Sequence, residues 1–434
     1  MSSLAHLEAP LANENSLLLA YSGGLDSSVL LHQLVLLRQQ RPALQLRAVH
    51  IHHGLNPLAE SWVAHCQQQC ARWQVPLEVV YVRVDARQGG IEAAARTARY
   101  QAFRQRLRAG ETLLTAQHQD DQSETLLLAL KRGSGPAGLA AMPQQHWLGE
   151  HRHLRPLLTH SRQQLEEWAH HHQLTWIEDD SNSDARYDRN FLRLEVMPML
   201  NARWPHFSRA VARSAALCGE QEQLLDELLA ESLDSLMDAS GTLSILPMLE
   251  MSDARRFALL RRWIAHQQGS MPSRDALRRV WQEVACSRED AEPRFRLGQN
   301  EVRRFRGRLY WLPLLTSLSE HALPWPDRAQ PLLLPDGLGQ LEQHNNDGLA
   351  LRPPLSGEAV SVRFQAQGSL HIVGRAGSRP LKKLWQELAV PPWQRDRTPL
   401  IFYGDRLAAA ADFFVTREGA PAAPDPAWFV YWRR

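Results

Sequence analysis

The sequence predicts an α/β architecture: a parallel sheet flanked by helices, then a mainly helical module, then a small α+β module. Three observations carry this. Between residues 16 and 131, short apolar runs of strand character alternate with stretches of helical spacing. From about Ala216 that alternation yields to leucine-rich helical periodicity, as over 224–236. Beyond a proline-rich stretch, 323–335, short strand-like runs return around one helical segment. These shifts divide the chain into 1–215, 216–322 and 336–434, with 323–335 as a linker.

The first run, 16–21, is continuously apolar, as a strand covered on both faces requires. A helix over 29–38 follows, then strand 44–53, a helix from about Ala59 to Trp73, strand 77–84, helix 91–108, strand 112–118 and helix 122–131. Gly133-Ser134-Gly135-Pro136-Ala137-Gly138 formally fits G-x-G-x-x-G. It follows a helix rather than a strand and contains Pro136, so it reads as a helix C-cap and turn. Ser161-Arg162-Gln163-Gln164 is a capping box for a helix to His172. In the middle module a hairpin is expected over 294–311. In the last, strands are expected over 349–352, 359–364 and 371–373, then a helix over 381–389, then strands over 400–402 and 408–414.

With 434 residues and 44% hydrophobic content, the chain is long enough for two or three cores. No apolar run is long enough to span a bilayer, and no Lys or Arg precedes Arg38, so neither a signal nor a transit peptide fits. A cytoplasmic protein with no membrane partner is expected. Cys66, Cys70, Cys218 and Cys286 form no C-x-x-C pair and read as free thiols. Net charge is only +2, but of 49 basic residues just three are Lys, and guanidinium is the group that best grips phosphate.

Chemistry concentrates in Ser22-Gly23-Gly24-Leu25-Asp26-Ser27-Ser28, a glycine turn between strand and helix. Such a turn aims backbone N–H groups and the positive end of a helix dipole at one spot, which suits phosphate. Gly23 and Gly24 permit close approach, and Ser22, Ser27 and Ser28 supply hydroxyl donors. A carboxylate beside phosphate is repelled unless a cation intervenes, so Asp26 implies Mg²⁺. The stretch does not fit G-x-x-x-x-G-K-[ST] and has no lysine near it, which argues against kinase or ATPase chemistry. Ligands of a parallel sheet bind beyond its strands' carboxyl ends, where His50, His52, His53 and His118 to Asp121 also collect. No known zinc spacing is present among the histidines and cysteines. Arg96 on one helix, and Asp121 with Glu124 on another, are candidates for charge stabilisation and acid–base work. The polar stretch from Trp176 to Arg193 reads as a substrate loop.

The seven-residue turn resembles the pyrophosphate-binding loop of N-type ATP pyrophosphatases, the PP-loop family with an adenine nucleotide alpha hydrolase-like fold. SGGLDSS, GIEAAARTARY, TAQHQDDQSET, LKRGSGPAGL, RPLL and DDSNSDARYDRNFLR, in this order, are together similar to the tRNA(Ile)-lysidine synthetase family. The resemblance implies a ligase using ATP, Mg²⁺, free L-lysine and the tRNA(Ile) with a CAU anticodon. The 2-carbonyl oxygen of the wobble cytidine would be adenylated with loss of pyrophosphate, and the lysine ε-amine would then displace AMP. Ser22, Gly23, Gly24, Leu25, Asp26, Ser27 and Ser28 would bind ATP, with Asp26 on the metal. Arg96 would offset charge on the α-phosphate or the cytidine oxygen. Asp121 and Glu124 would take lysine's ammonium groups, and Arg189 or Arg193 its carboxylate.

Arg255, Arg256, Arg261, Arg262, Arg303, Arg304 and Arg308 suggest a phosphate-tracking face in the middle module. In the last module Arg375, Arg379, Lys382, Lys383, Arg395 and Arg397 flank Trp385 and Trp393, a mixture that suits RNA better than a neutral partner, and no DNA partner is expected. Two rival readings are a tRNA thiolase with the same loop, which lacks the cysteines it would need, and a tRNA-binding protein without catalysis.

Overall fold

The computed structural model describes residues 4–434 apart from 55, 85–89, 289–290, 345–346 and 423–426, and apart from the side chains of Glu92 and Ser181. The chain forms two compact units, Met1–Leu228 and Leu229–Arg434. Among the described residues no helix is long and apolar enough to cross a membrane.

In the first unit a short helix α1 (Ala5–Glu8) precedes strand β1 (Ser16–Ala20) and helix α2 (Leu25–Gln40). There follow β2 (Gln45–His52), α3 (Ala59–Arg72), β3 (Leu77–Tyr81), α4 (Ile91–Arg106), β4 (Thr112–Leu114) and α5 (Gln119–Lys131). A one-turn α6 (Pro136–Leu139), a hairpin of β5 (Gln145–Leu148) and β6 (His151–Leu154), and α7 (Arg162–His171) complete the layer. The sheet order is β3-β2-β1-β4-β6-β5, parallel except for the β5–β6 pairing. Strand order reverses between β1 and β4, so a crevice opens beyond the carboxyl ends of those two strands. The apolar central strands explain the arrangement: Leu17 and Leu19 pack on one face with Leu30, Leu34 and Trp168, and Leu18 packs on the other with Val49, Phe103 and Leu113.

Two helices start earlier than their apolar pattern suggests. Gly24, extended at φ −73° and ψ 170°, is the N-cap of α2, which draws Asp26, Ser27 and Ser28 into its first turn. The His118 side chain caps α5 by accepting from the Asp120 N–H, so this helix begins at Gln119 rather than at Gln122. β4 ends at Leu114, short of the expected His118, and Thr115 N–H still donates to the Leu154 carbonyl of β6 at 3.1 Å. After α5, Gly133 at φ 66° and the bonds from its N–H to Leu130 and from Ser134 N–H to Ala129 make the expected C-cap turn.

The second unit takes in the end of helix Phe207–Leu236 and strand Leu243–Ser244, after which helices Asp253–His266 and Arg274–Arg279 pack on a four-stranded antiparallel sheet. Its strands Arg294–Leu297, Asn300–Phe305 and Arg308–Pro313 realise the expected hairpin region, around a core of Trp263, Leu260, Val302 and Leu309. A five-stranded and a four-stranded antiparallel sheet follow, with helix Leu381–Glu387. The linker expected over 323–335 is corrected here. Ala322–Pro324 is an edge strand paired with Val360–Arg363, and Trp325 and Leu334 are core residues. Pro324 is compatible with that strand because an edge position leaves one row of backbone groups unpaired. Of the strand expected over 371–373 only an isolated antiparallel bridge, Ile372 with Thr416, is formed, and Ser369–Leu370 pairs with Arg379–Pro380.

Buried neutral histidines give the first unit an acid limit. His32 on α2 is 6% exposed and its Nδ1 accepts from Trp168 Nε1 at 3.1 Å. Burial first, then the positive potential of His172 and Arg72, holds its pKa down to about 4. His153 on β6 is fully buried, and burial followed by Arg155 and His146 holds it down to about 3. Both titrate near 6.5 once unfolded, so between 6.5 and these values the unfolded chain binds more protons than the folded one. Stability is therefore lost as pH falls from 6.5, by roughly 2 kcal/mol per histidine on reaching pH 5. Urea midpoints at pH 7.5 and pH 5 should differ accordingly, and His32→Gln should flatten the dependence.

Candidate active site

β1 delivers the chain to Tyr21, whose carbonyl lies 3.0 Å from His50 Nδ1 at the end of β2. The bend that follows is braced from behind. Gly23 takes φ 85°, its carbonyl accepts from the Ile177 N–H at 2.9 Å, and a Cβ there would stand 2.5 Å from Ile177 Cδ1 and 2.8 Å from Cys66 Sγ. Ser27 Oγ donates to the Gly24 carbonyl at 3.1 Å and sits 2.9 Å from Ser22 Oγ, while Ser28 Oγ donates to the Gly23 carbonyl at 3.3 Å. The hydroxyls thus hold the bend while the first amides of α2 have no partner within the helix. Gly23→Ala combines a strained φ with close contacts that the Ile177 and Cys66 side chains must relieve. It should lower stability by about 1–3 kcal/mol. Adding Ile177→Ala should return part of the stability, as a denaturation midpoint would measure, because it removes one of the contacts but not the strain.

Asp26, in the first turn of α2, faces the crevice between β1 and β4. Its Oδ1 is shielded from solvent and has no hydrogen-bond partner; the nearest cation is Arg162 Nη1 at 3.6 Å. Its Oδ2 lies 3.7 Å from His118 Nε2. Burial raises the carboxyl above its usual range, with Asp121 adding to the rise while His118, Arg162 and Arg193 oppose it. An orphaned carboxylate oxygen at a phosphate-type bend is a position a cation would satisfy. Among the described residues, no three His, Cys, Asp or Glu side chains converge as a metal-ligand set, here or elsewhere. Cys66 and Cys70 are buried free thiols, both pushed up to about 12 by burial. Cys218 is half-buried and Cys286 exposed.

His118 sits at the centre of the cluster, 1% exposed. Because Nδ1 accepts from the Asp120 N–H at 3.2 Å, its ring proton lies on Nε2, facing Asp26 Oδ2 and, at 3.5 Å, Asp121 Oδ2. Asp121 accepts from the His118 N–H at 3.0 Å and from Arg193 Nη2 at 3.0 Å. Glu124, one turn on and 1% exposed, receives Arg193 Nε at 2.7 Å and Nη2 at 3.0 Å, with Arg189 Nε at 3.4 Å. Arg189 also donates to Thr125 Oγ1 at 2.9 Å. Both arginines come from one segment, helix α8 (Asp188–Phe191) and the π-helical turn Leu192–Val196.

The two carboxyls are pushed apart in acidity. Burial raises Asp121, yet His118, Arg193 and the His118 N–H together outweigh it and hold Asp121 low. Burial raises Glu124, and neighbouring Asp121 adds to this, so it stays high despite Arg193. Opposed environments of this kind mark an ionised partner and a proton acceptor.

The crevice therefore gathers Ser22 to Ser28, Asp121, Glu124, Arg189 and Arg193. Arg96 is exposed on α4, its guanidinium 5.0 Å over the Tyr100 ring. Sequence reasoning missed Arg162 and Ile177, and placed His118 at a strand end without giving it a role. Arg162 reads as the middle of a capping box, yet its N–H donates to Asp120 at 2.8 Å and its guanidinium approaches Asp26.

In the second unit Lys382 and Lys383 are exposed on helix Leu381–Glu387, with exposed Arg375 and Arg379 ion-paired to Glu387 beside them. Arg397 is 8% exposed, donating to Asp336 Oδ2 at 2.7 Å and to the Thr316 carbonyl at 2.9 Å, and Arg395 donates to the Val390 carbonyl at 3.0 Å. Trp385 and Trp393 are buried. These placements correct the expectation that Arg397 and the two tryptophans face RNA. Arg256 and Arg308 are likewise spent on backbone carbonyls, those of Met248 and Met251 for the first and Leu236 and Thr242 for the second.

Residues 1–200 match the model of the PP-loop domain family, 243–310 the TilS substrate binding domain and 360–432 the TilS substrate C-terminal domain. The chain is 62% identical to the tRNA(Ile)-lysidine synthase of Serratia proteamaculans over 99% of this chain and 98% of the relative. It is 62% identical to that of Pectobacterium atrosepticum over 96% and 95%, and 57% identical to that of Escherichia coli O157:H7 over 99% of each.

Proposed function

This chain belongs to the tRNA(Ile)-lysidine synthase family, and from that premise we propose how its residues divide the reaction. The enzyme is a tRNA-modifying ligase that forms a carbon–nitrogen bond, built on a PP-loop domain that binds ATP. The bend from Ser22 to Ser28 receives the β and γ phosphates through the amides that open α2. Asp26 would hold Mg²⁺ through its unpartnered oxygen, and the ion would offset the repulsion between carboxylate and phosphates. Arg96 offsets charge developing on the α-phosphate or on the 2-carbonyl oxygen of the wobble cytidine in a CAU anticodon.

Free lysine enters the Asp121–Glu124–Arg193 group. Because each carboxylate there already faces an arginine, a zwitterion can exchange into the network, ammonium for guanidinium and carboxylate for carboxylate, without leaving a buried charge unpaired. Glu124, held high, takes the proton from the ε-ammonium; Asp121, held low, stays ionised and anchors an ammonium. The neutral amine then attacks the adenylated cytidine and AMP leaves. Arg189 and Arg193 receive the lysine carboxylate. We place the reaction in the cytoplasm.

The observation that supports this division best is the shielded, unpartnered Asp26 oxygen beside two carboxyls of opposite acidity. Incubation with tRNA(Ile), ATP and isotope-labelled lysine tests it: the wobble nucleoside should gain the mass of lysine less water. An unchanged nucleoside refutes it.

For the tRNA body we propose the face formed by Arg375, Arg379, Lys382 and Lys383, with Arg395 and Arg397 supporting it from within. Reversing Lys382 and Lys383 to Glu should raise the KM for tRNA several-fold and lower the salt slope of binding by about two, leaving the KM for ATP unchanged. Charge reversal is a cleaner test than truncation at Pro335, which would strip Trp325 and Leu318 of their core partners.

A further inference from the structure

We infer that Tyr187 and Phe191 form a stacking surface for the unpaired anticodon-loop bases that neighbour the modified cytidine; this rests on the reading above. The two rings are 46% and 42% exposed, on the same short segment that sends Arg189 and Arg193 into the carboxylate network. They lie one helical turn apart, since the Phe191 N–H donates to the Tyr187 carbonyl at 2.9 Å. Among the described residues neither ring stacks on another aromatic.

The platform is held rigidly. Lys131 Nζ pairs with Asp188 at 2.6 Å, Arg189 donates to Thr125 and Arg193 grips Glu124, so three side chains pin the segment to α5 around the rings. Arg189 and Arg193 are used inward, while the rings of Tyr187 and Phe191 are left exposed beside the crevice.

The chemistry of the substrate says what such rings would meet. A base that enters a catalytic crevice leaves the stack of its loop, and its neighbours lose a stacking partner. Aromatic side chains at the mouth replace that partner, and unpaired RNA bases are held in this way in general. Every base has a π-face, so the platform adds affinity next to the site without reading sequence.

Steady-state kinetics with the full chain, intact tRNA(Ile), ATP and lysine tests this. Tyr187→Ala, Phe191→Ala and Phe191→Leu should each raise the KM for tRNA by about tenfold. The KM values for ATP and lysine and the melting temperature should stay constant. Tyr187→Phe and Phe191→Trp should stay within about twofold of the parent, because a ring remains. The inference falls if Phe191→Leu behaves like the parent, since the patch is then merely apolar, or if the KM values for ATP or lysine shift as much as that for tRNA. It falls also if the alanine variants keep their KM but sedimentation shows them to have lost a dimer, because a second copy is then the occupant. Failure of the functional reading itself would look different: the parent enzyme would make no lysidine.

Discussion

Asp26→Asn should lower tRNA-dependent pyrophosphate release by about 100- to 1000-fold while leaving the folded chain as stable as its parent or more so. The two halves of that expectation have one cause. Burial raises the Asp26 carboxyl above its usual range, so the folded state favours the protonated form and the ionised form costs stability at neutral pH. Removing the charge removes that cost. It also takes the negative charge from the oxygen that lacks a hydrogen-bond partner and so is left for the reaction. A structural aspartate would behave oppositely, losing stability with its charge. Calorimetry and pyrophosphate release on the same preparation separate the two cases.

Glu124→Gln should split the reaction. The adenylation half does not need a base for lysine, so ATP–pyrophosphate exchange with tRNA should persist. Lysine coupling should fall about 100-fold or more, and the KM for lysine should rise. In the parent enzyme the acid limb of kcat for the coupling step should lie above 4.5, because burial and Asp121 hold Glu124 high. Asp121→Asn should instead raise the lysine KM with less effect on kcat, since Asp121 is held ionised and anchors rather than accepts. Equal losses in both half-reactions for Glu124→Gln would remove the division of labour between these two residues.

Much of this was legible in the chain because the first unit follows local rules. Continuous apolar runs became central strands, helical spacing became flanking helices, and the glycine bend sits where β1 feeds α2. Misjudged boundaries share one cause. Asp26, Ser27 and Ser28, like Gln119 to Asp121, are polar residues of a first helical turn, and polarity alone reads as loop until the cap is seen. Arg162 escaped notice, and His118 went without a role, for another reason. Their importance comes from the meeting of β1, β4 and α7 in space, and no spacing along the chain records it. In the second unit, charge alone could not separate Arg397, which is turned onto Asp336, from Lys382 and Lys383, which face outward. Nor could proline content foretell that 322–324 would pair as an edge strand.

The central claim is that the bend at Ser22 to Ser28 holds a departing diphosphate while adenylate passes to an RNA base. Product analysis of labelled ATP tests it most directly. The prediction is one AMP and one pyrophosphate for each lysine incorporated, with neither formed unless tRNA is present. Release of ADP and orthophosphate, or AMP formed equally well without tRNA, would contradict it.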